Sequence, residues 1–243
     1  MAALGKGNVL ALFAIVHGSM AGPGAYTRLG TELDRRGQRV LLIELPIDRP
    51  ELTGTDYARL VAQRLDAALA DSGTKSEPPV VVAHSASGLL LPLVPSFHPV
   101  AHLVYLAAGV PQPGMTLDEQ LQAEPGMLNP AWVGVDPFQD HQAARRFLFH
   151  DCDQATADWA IATQTPWYPD GMYNERCPLA AFPPVPSTSI VGVQDRVIRP
   201  AWSRRVARDR LQARVIELPG GHCPHVSRPA RLAEALISAT ASH

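Results

Sequence analysis

The chain has 243 residues, of which 46% are hydrophobic and 18% are charged, and its formal net charge is -2. These values are typical of one globular domain with a modest insertion, and they exclude a disordered chain and a membrane-embedded body. Because no clustered basic charge is evident, we expect no nucleic-acid partner and no membrane partner, and a small neutral or mildly polar molecule as substrate.

The N-terminus places Lys6 before the apolar run 9–16, as a secretory signal places a charged head before an apolar core. The run holds only 8 residues and leads directly into His17 and Gly18, so we interpret it as a core strand. No C-x-x-C pair is present, and any disulfide scheme leaves one thiol unpaired. The three cysteines are Cys152, Cys177 and Cys223. We therefore expect a cytoplasmic protein.

Short, nearly continuous apolar runs recur along the chain. They are residues 9–16, 40–45, 80–83, 103–108, 189–193 and 215–218. Such runs are typical of strands buried on both faces. Segments with helical spacing of apolar residues separate them, most clearly at 57–69 and 232–237. The alternation predicts an α/β fold with three layers, in which a mainly parallel sheet of about six strands has helices on both faces.

The alternation fails once, where prolines, glycines and mixed helical pieces occupy residues 111–186. We predict that residues 1–110 and 187–243 form the core and that 111–186 form an inserted cap. Nine of the 15 aromatic residues lie in this segment, which suits an apolar lid over a pocket. A single ring more often packs into the cap's own core. The residues expected to line the substrate pocket are Trp132, Trp159 and Trp167.

Residues 80–90 read V-V-V-A-H-S-A-S-G-L-L, a strand that passes through a tight turn into an apolar helical start. This pattern predicts a nucleophile elbow, whose strained backbone exposes a serine hydroxyl and requires small residues two before and two after it. Ala83 and Ser87 meet that requirement around Ser85. Ser87 is the weaker candidate, because Leu89 would then occupy a small position. A helix capped by a non-catalytic serine has a similar local pattern.

The elbow resembles the G-H-S-x-G-G motif of the α/β-hydrolase superfamily, with Ala83 and Ser87 in place of two glycines. Three more segments resemble motifs of that family, in the family's order. They are the oxyanion loop at 17–20, the acid-bearing turn at 192–198 and the histidine loop at 220–225. Each follows a predicted strand, at the edge where ligands bind in open α/β sheets. The resemblance covers most of the chain outside the cap and implies the α/β-hydrolase fold.

The resemblance also implies a catalytic triad, with Ser85 as nucleophile, His222 as base and Asp195 as acid. A neutral imidazole can remove the serine proton, while the carboxylate fixes the imidazole tautomer. The expected oxyanion-hole donors are the backbone N–H groups of Ser19 and Ala86.

Other histidines compete for the role of the base. His225 lies three residues after His222, so the sequence leaves it as an alternative. The preference for His222 rests on its position directly after the glycines at 220–221. We expect His84 to point away from the serine hydroxyl and His17 to anchor the oxyanion loop.

Two further carboxylates and a histidine–cysteine cluster have simpler interpretations. We interpret Asp151 and Asp153 as caps of a helix that begins near Gln154. The cluster of His222, Cys223 and His225 has no matching ligand pair at conventional spacing, so we expect neither a metal nor a cofactor.

Serine at the nucleophile position argues against the epoxide hydrolases and dehalogenases of the superfamily, which place an aspartate there. The early first strand and the length resemble the compact branch of plant methylesterases and hydroxynitrile lyases. Lyases of that branch carry a lysine after the catalytic histidine and a threonine in the oxyanion loop. Here the positions hold Cys223 and Gly18, the latter expected to contact substrate.

We therefore predict a serine esterase that forms an acyl-enzyme intermediate and acts on an ester, thioester or lactone with an apolar or aryl acyl group. Two alternatives stay open. One is a carbon–carbon hydrolase or lyase with the same triad, and the other is a ligand-binding homologue without catalysis.

Overall fold

The computed structural model describes residues 11–70 and 77–240. Six strands form one parallel sheet in the order β2-β1-β3-β4-β5-β6. They are β1 (Leu12–Val16), β2 (Arg39–Ile43), β3 (Val80–His84), β4 (His102–Leu106), β5 (Ser187–Gly192) and β6 (Arg214–Leu218). The predicted α/β class and parallel sheet are confirmed. The start of the first predicted strand at residues 9 and 10, and Lys6 before it, lie outside the described residues.

The strands end together at one edge of the sheet. Val16 at the end of β1 pairs with Ala83 in β3, and His84 pairs with Leu106 at the end of β4. β1 and β3 are buried throughout, whereas the edge strands β2 and β6 are partly exposed. The loops that leave β1, β3, β5 and β6 therefore meet above the same edge, which is where the candidate site lies.

Helices cover both faces of the sheet. The helices outside the segment between β4 and β5 are α1 (Thr27–Asp34), α2 (Gly54–Ala70), α7 (Pro200–Asp209), α8 (Pro224–Ser227) and α9 (Pro229–Thr240). Successive side chains of β1 point to opposite faces of the sheet, as the two-residue period of a strand requires. Ile15 packs with α1 and α9 in one core, and Val16 packs with α2 in the other.

The chain after β3 forms two successive 3-10 segments, Ser85–Leu89 and Leu91–Ser96, where the sequence predicts a helical start. Pro92 and Pro95 lie in the second segment and carry no backbone N–H, so a regular run of α-helical hydrogen bonds cannot form there. The first segment contacts β3 and β4, and residues 91–94 of the second segment are buried.

Between β4 and β5 the chain forms short helices, and an isolated antiparallel bridge joins Leu128 in this segment to Ile198 in the loop after β5. The helices are α3 (Leu117–Ala123), α4 (His141–Ala143), α5 (Gln154–Ala162) and α6 (Asp170–Asn174), and a π turn (Ala144–Leu148) continues α4. The division into a core and a cap at residues 111 and 186 stays our interpretation. Within the described ranges, no helix is long and apolar enough to span a bilayer, and the cytoplasmic location stays a prediction.

Candidate active site

The turn after β3 places Ser85 in a strained conformation. Its φ of +56° lies in the left-handed region, which side chains other than glycine rarely adopt and which is enriched at active sites. Ala83 and Ser87 on either side are fully buried, so larger residues would have no space. Position 88 also admits no residue larger than glycine, because a Cβ there would lie 2.1 Å from the carbonyl oxygen of Gly109.

A line of hydrogen bonds begins at Ser85. Its Oγ lies 3.0 Å from Nε2 of His222, and Nδ1 of His222 lies 2.8 Å from Oδ2 of Asp195. The other carboxylate oxygen accepts the backbone N–H groups of Val197 and Ile198, at 2.7 and 3.1 Å. Because a carboxylate only accepts, Nδ1 of the imidazole carries the hydrogen and Nε2 is free to accept the serine proton.

The loop that carries the histidine is tied to the segment between β4 and β5. The Asp151 carboxylate accepts the backbone N–H of Gly221 at 3.1 Å, directly before His222. The prediction that Asp151 caps a helix is therefore wrong, because its side chain is turned toward this loop. Asp153 does cap α5, since its carboxylate accepts the N–H of Thr156 at 2.8 Å.

The loop after β1 lies against the elbow. A Cβ at Gly18 would lie 2.9 Å from Nδ1 of His84 and 3.0 Å from Cβ of Ser85, so a side chain at this position would press on the serine. The N–H of Gly18 already donates to Tyr26 Oη, at 3.1 Å. Ser19 follows it, and both Ser19 and Ala86 line a cavity beside Ser85.

A buried chain of hydrogen bonds joins this loop to the histidine loop. Nε2 of His84 donates to the carbonyl oxygen of His222 at 3.0 Å, so Nδ1 must accept the Tyr26 hydroxyl at 2.8 Å. Burial holds the pKa of His84 well below its usual range, so the ring stays neutral. Tyr26 in turn accepts the N–H of Gly18. The hydrogen bonds therefore all donate in one direction, from the N–H of Gly18 in the loop after β1 to the backbone carbonyl of His222.

We expect Tyr26→Phe to lower kcat by about tenfold with little change in KM, because it leaves both Gly18 N–H and His84 Nδ1 without a partner. Each unpaired buried group costs about 1–3 kcal/mol, so the free energy of unfolding should also fall. Ester kinetics and urea unfolding measure the two effects.

Tyr57→Phe is the matched control. That buried hydroxyl also has two partners, since it donates to the carbonyl of Arg49 at 2.9 Å and accepts from Trp167 Nε1 at 3.0 Å. We expect the free energy of unfolding to fall in both variants. We expect kcat to fall only in Tyr26→Phe. Equal kcat values in the two variants would reduce Tyr26 to a structural residue.

The other predicted histidines lie around this chain. His17 accepts the N–H of Leu45 through Nε2, at 3.2 Å, and its Nδ1 donates to the carbonyl of Gly18, at 3.0 Å. It thus braces the loop after β1, as predicted. His225 stacks on Tyr26 with ring centroids 4.2 Å apart and does not hydrogen bond to Ser85. The structure brings His222 alone of this pair to the serine hydroxyl.

Three side chains could in principle share a metal ion, since donor atoms of His84, Cys223 and His225 lie within 4.8 Å of one another. Both nitrogens of His84 already have partners, and burial raises the pKa of the Cys223 thiol well above its usual range. The set therefore fits a divalent cation poorly, and the absence of a metal stays a prediction.

Ser85 borders two of the cavities that the described residues form, and Ser19 and Trp132 line both of them. We call the first the His222 cavity; besides these residues its wall includes His222, Gln164, His225, Phe149 and Leu148. We call the second the Ala86 cavity; its wall includes Ala86, Leu89, Leu117, Met127, Tyr173, Val197 and Ile198. Ser85 lies where the two meet, so a substrate attacked at this serine could extend into both.

Of the three predicted pocket tryptophans, only Trp132 lies in the wall of either cavity. Trp167 is fully buried, with its ring edge-on to His17 and to Tyr57, and Trp159 lies beneath the guanidinium of Arg28 at 4.1 Å. The prediction for Trp159 and Trp167 is therefore corrected. Their rings pack against the core and against a surface arginine, which composition could not distinguish from a pocket wall.

Tyr26 and Gln164 are site residues that the sequence analysis missed. Tyr26 lies eight residues beyond Gly18 in the chain, and it reaches His84 only because β1 and β3 are neighbours in the sheet. Gln164 follows α5 in a stretch without regular structure. No local signal marks either residue.

Comparisons with known proteins agree with this architecture. The family model described as "Alpha/beta hydrolase family" matches residues 13–235. The chain is 29% identical over 247 aligned positions to a pyrethroid hydrolase of Sphingobium wenxiniae, covering 91% of this chain and 85% of that protein.

Solved structures share the fold at low sequence identity. A pyrethroid hydrolase from Sphingobium faniae JZ-2 has a TM-score of 0.69 and 21% identity, over 96% of this chain and 98% of that one. The methylesterase MES16 from Arabidopsis has a TM-score of 0.72 and 18% identity, over 95% and 98%. Polyneuridine aldehyde esterase has a TM-score of 0.72 and 18% identity, over 94% and 98%.

Proposed function

Because the chain belongs to the alpha/beta hydrolase family, we propose that it is a carboxylic ester hydrolase whose triad is Ser85, His222 and Asp195. The observation that supports this most is the hydrogen-bonded line from a serine at positive φ through an imidazole to a carboxylate. The similarity to a protein named pyrethroid hydrolase and to the methylesterase MES16 also supports the proposal.

In the proposed mechanism, His222 Nε2 takes the proton of Ser85 as Oγ attacks the ester carbonyl. Asp195 stabilises the imidazolium, and the N–H groups of Ser19 and Ala86 bind the developing oxyanion. The imidazolium then gives its proton to the leaving alcohol, and an acyl-enzyme forms on Ser85. Water, deprotonated by the same imidazole, releases the acid and restores the serine.

The carbon–carbon lyase alternative receives less support from the site. The position after the histidine holds Cys223, which is buried, and burial raises the pKa of its thiol well above the usual range. A neutral thiol cannot supply the positive charge that a lysine would supply there.

The test is to incubate the purified protein with a fluorophosphonate and then with three substrate panels: esters, including pyrethroid-type esters, cyanohydrins and diketones. We expect rapid labelling at Ser85 and turnover of esters. Turnover of cyanohydrins or diketones alone would favour the lyase or carbon–carbon hydrolase. A protein that is folded yet neither labelled nor active would be a ligand-binding homologue.

We expect Trp132→Ala to change which esters the enzyme prefers, because this ring borders both cavities. Apolar burial contributes about 25 cal/mol per Å², so the loss of kcat/KM should grow with acyl size and stay small for acetates. A series of esters with increasing acyl length measures the slope, which is the dependence of the loss of kcat/KM on acyl length.

Trp159→Ala is the control, since its ring lies under Arg28 outside both cavity walls. It should leave the slope unchanged. If both variants lost kcat/KM equally for every ester, Trp132 would only stabilise the fold. If the dependence of kcat/KM on acyl length were unchanged in Trp132→Ala, Trp132 would not determine specificity.

A further inference from the structure

Two residues that line the His222 cavity carry buried polar atoms that the proposed chemistry does not use. The amide nitrogen and oxygen of Gln164 and Nδ1 of His225 are buried, and within residues 11–70 and 77–240 none of these three atoms has a hydrogen-bond partner. Both residues line the same cavity as Ser85 and His222.

Such atoms call for a physical explanation. A buried polar group without a partner destabilises a protein by about 1–3 kcal/mol, and most buried polar groups are paired. The wall around them is otherwise largely apolar, with Ala25, Leu148, Phe149 and Val226 among its residues. A few polar groups in an apolar pocket are the usual way in which a site fixes the orientation of a ligand.

The position of the base indicates which half of the substrate lies here. The leaving oxygen must reach His222 to be protonated, and His222 lines this cavity but not the Ala86 cavity. The alcohol half of an ester therefore extends into the His222 cavity. The acyl half extends into the Ala86 cavity, whose wall includes Leu89, Met127 and Val197.

The chemistry of the unpaired atoms limits what they can bind. A glutamine amide both donates and accepts, and burial lowers the pKa of His225 to about 3, so its ring is neutral near pH 7. Among the described residues that line the cavity there is no lysine, arginine, aspartate or glutamate. A carboxylate would find no opposite charge there, whereas a neutral group that donates and accepts would pair with the amide.

We propose that Gln164, together with His225, is a specificity-determining anchor for esters whose leaving alcohol carries a second neutral hydrogen-bonding group, such as a hydroxyl or a carboxamide. The inference rests on the proposed esterase function. It adds a substrate class, namely monoesters of diols or of hydroxy-amides, in which apolar atoms separate the second polar group from the ester bond.

The test compares matched pairs of butyrate esters. One member has a terminal hydroxyl on the alcohol chain and the other has a methyl group in its place, over a chain of about two to five methylenes. We expect kcat/KM for the hydroxyl ester to exceed that of its methyl partner by about tenfold at the best length, the value of one good hydrogen bond. Esters with a terminal carboxylate should be the poorest of the three.

Gln164→Met keeps the size of the side chain and removes the amide, so the hydroxyl-to-methyl ratio should fall to about one. Gln142→Met is the matched control, since Gln142 is exposed in α4. Its ratio should equal that of the parent. A ratio of one in the parent at every length, or an unchanged ratio in Gln164→Met, overturns the proposal.

A binding measurement separates this inference from the esterase proposal. The Ser85→Ala variant, which lacks the proposed nucleophile and should not cleave the esters, is titrated calorimetrically with the same ester pairs. Tighter binding of the hydroxyl ester supports the anchor whether or not the parent cleaves it, and equal binding overturns the anchor. Ester turnover and fluorophosphonate labelling by the parent decide the esterase function independently.

Discussion

Ser85→Ala is expected to lower kcat for esters by about 10⁴- to 10⁶-fold while leaving the fold intact, since removal of the nucleophile of such a triad abolishes covalent catalysis. The hydroxyl is half-buried, and its described partner is His222 Nε2, so its loss removes little packing. Steady-state kinetics and circular dichroism of the purified variant measure the two quantities. Retained activity in a folded variant would contradict the mechanism.

Ser87→Ala is the matched control on the same turn. The Ser87 hydroxyl is fully buried and donates to the carbonyl of His17, so its removal should lower the free energy of unfolding by about 1 kcal/mol. Activity should stay within a few-fold of the parent, and fluorophosphonate should still label Ser85. A label on Ser87 would mean that the elbow has been placed in the wrong register.

His222→Ala is expected to remove nearly all esterase activity, and His225→Ala only part of it. The first removes the group 3.0 Å from Ser85 Oγ and 2.8 Å from Asp195. The second removes a ring that stacks on Tyr26 and leaves the line of hydrogen bonds in place. Kinetics of the two variants on one ester measure the difference. The reverse order would transfer the role of base to His225.

The pH profile tests the same assignment. A histidine base acts only when neutral, so kcat/KM should rise with pH through one ionisation between about pH 5 and 8. His84 and His225 should add no further step in that range, because burial holds the pKa of His84 well below its usual range and lowers that of His225 to about 3. A rate that is constant over this range would contradict a histidine base.

The local sequence pattern is sufficient to predict the strands and the elbow. The apolar runs predict the strands, because a strand buried on both faces must be apolar at every position, as in β1 and β3. The elbow was recognised because only small residues fit beside a serine at positive φ. Among the described residues, the predicted strand ends differ from the observed ones by two residues at most. The irregular helical segment after the elbow follows from the prolines at positions 92 and 95.

The segment between β4 and β5 was much harder to predict. Its short helices have no long periodic pattern, so the sequence indicates many aromatic residues but not the direction of each ring. Trp132 lies in the pocket wall, while Trp159 and Trp167 pack elsewhere. Side-chain direction in such a segment depends on contacts with distant residues, and these are set only when the whole chain has packed.

By itself the sequence determined the α/β class, the order of the strands along the chain and the loops that follow them, because each depends on residues close together in the chain. Tertiary structure decided which groups meet. His222 and His225 are three residues apart, yet one contacts Ser85 and the other stacks on Tyr26. Gln164 became a candidate anchor only when folding buried its amide without a partner. Contacts between distant residues depend on the register and packing of the sheet, and no local pattern encodes them.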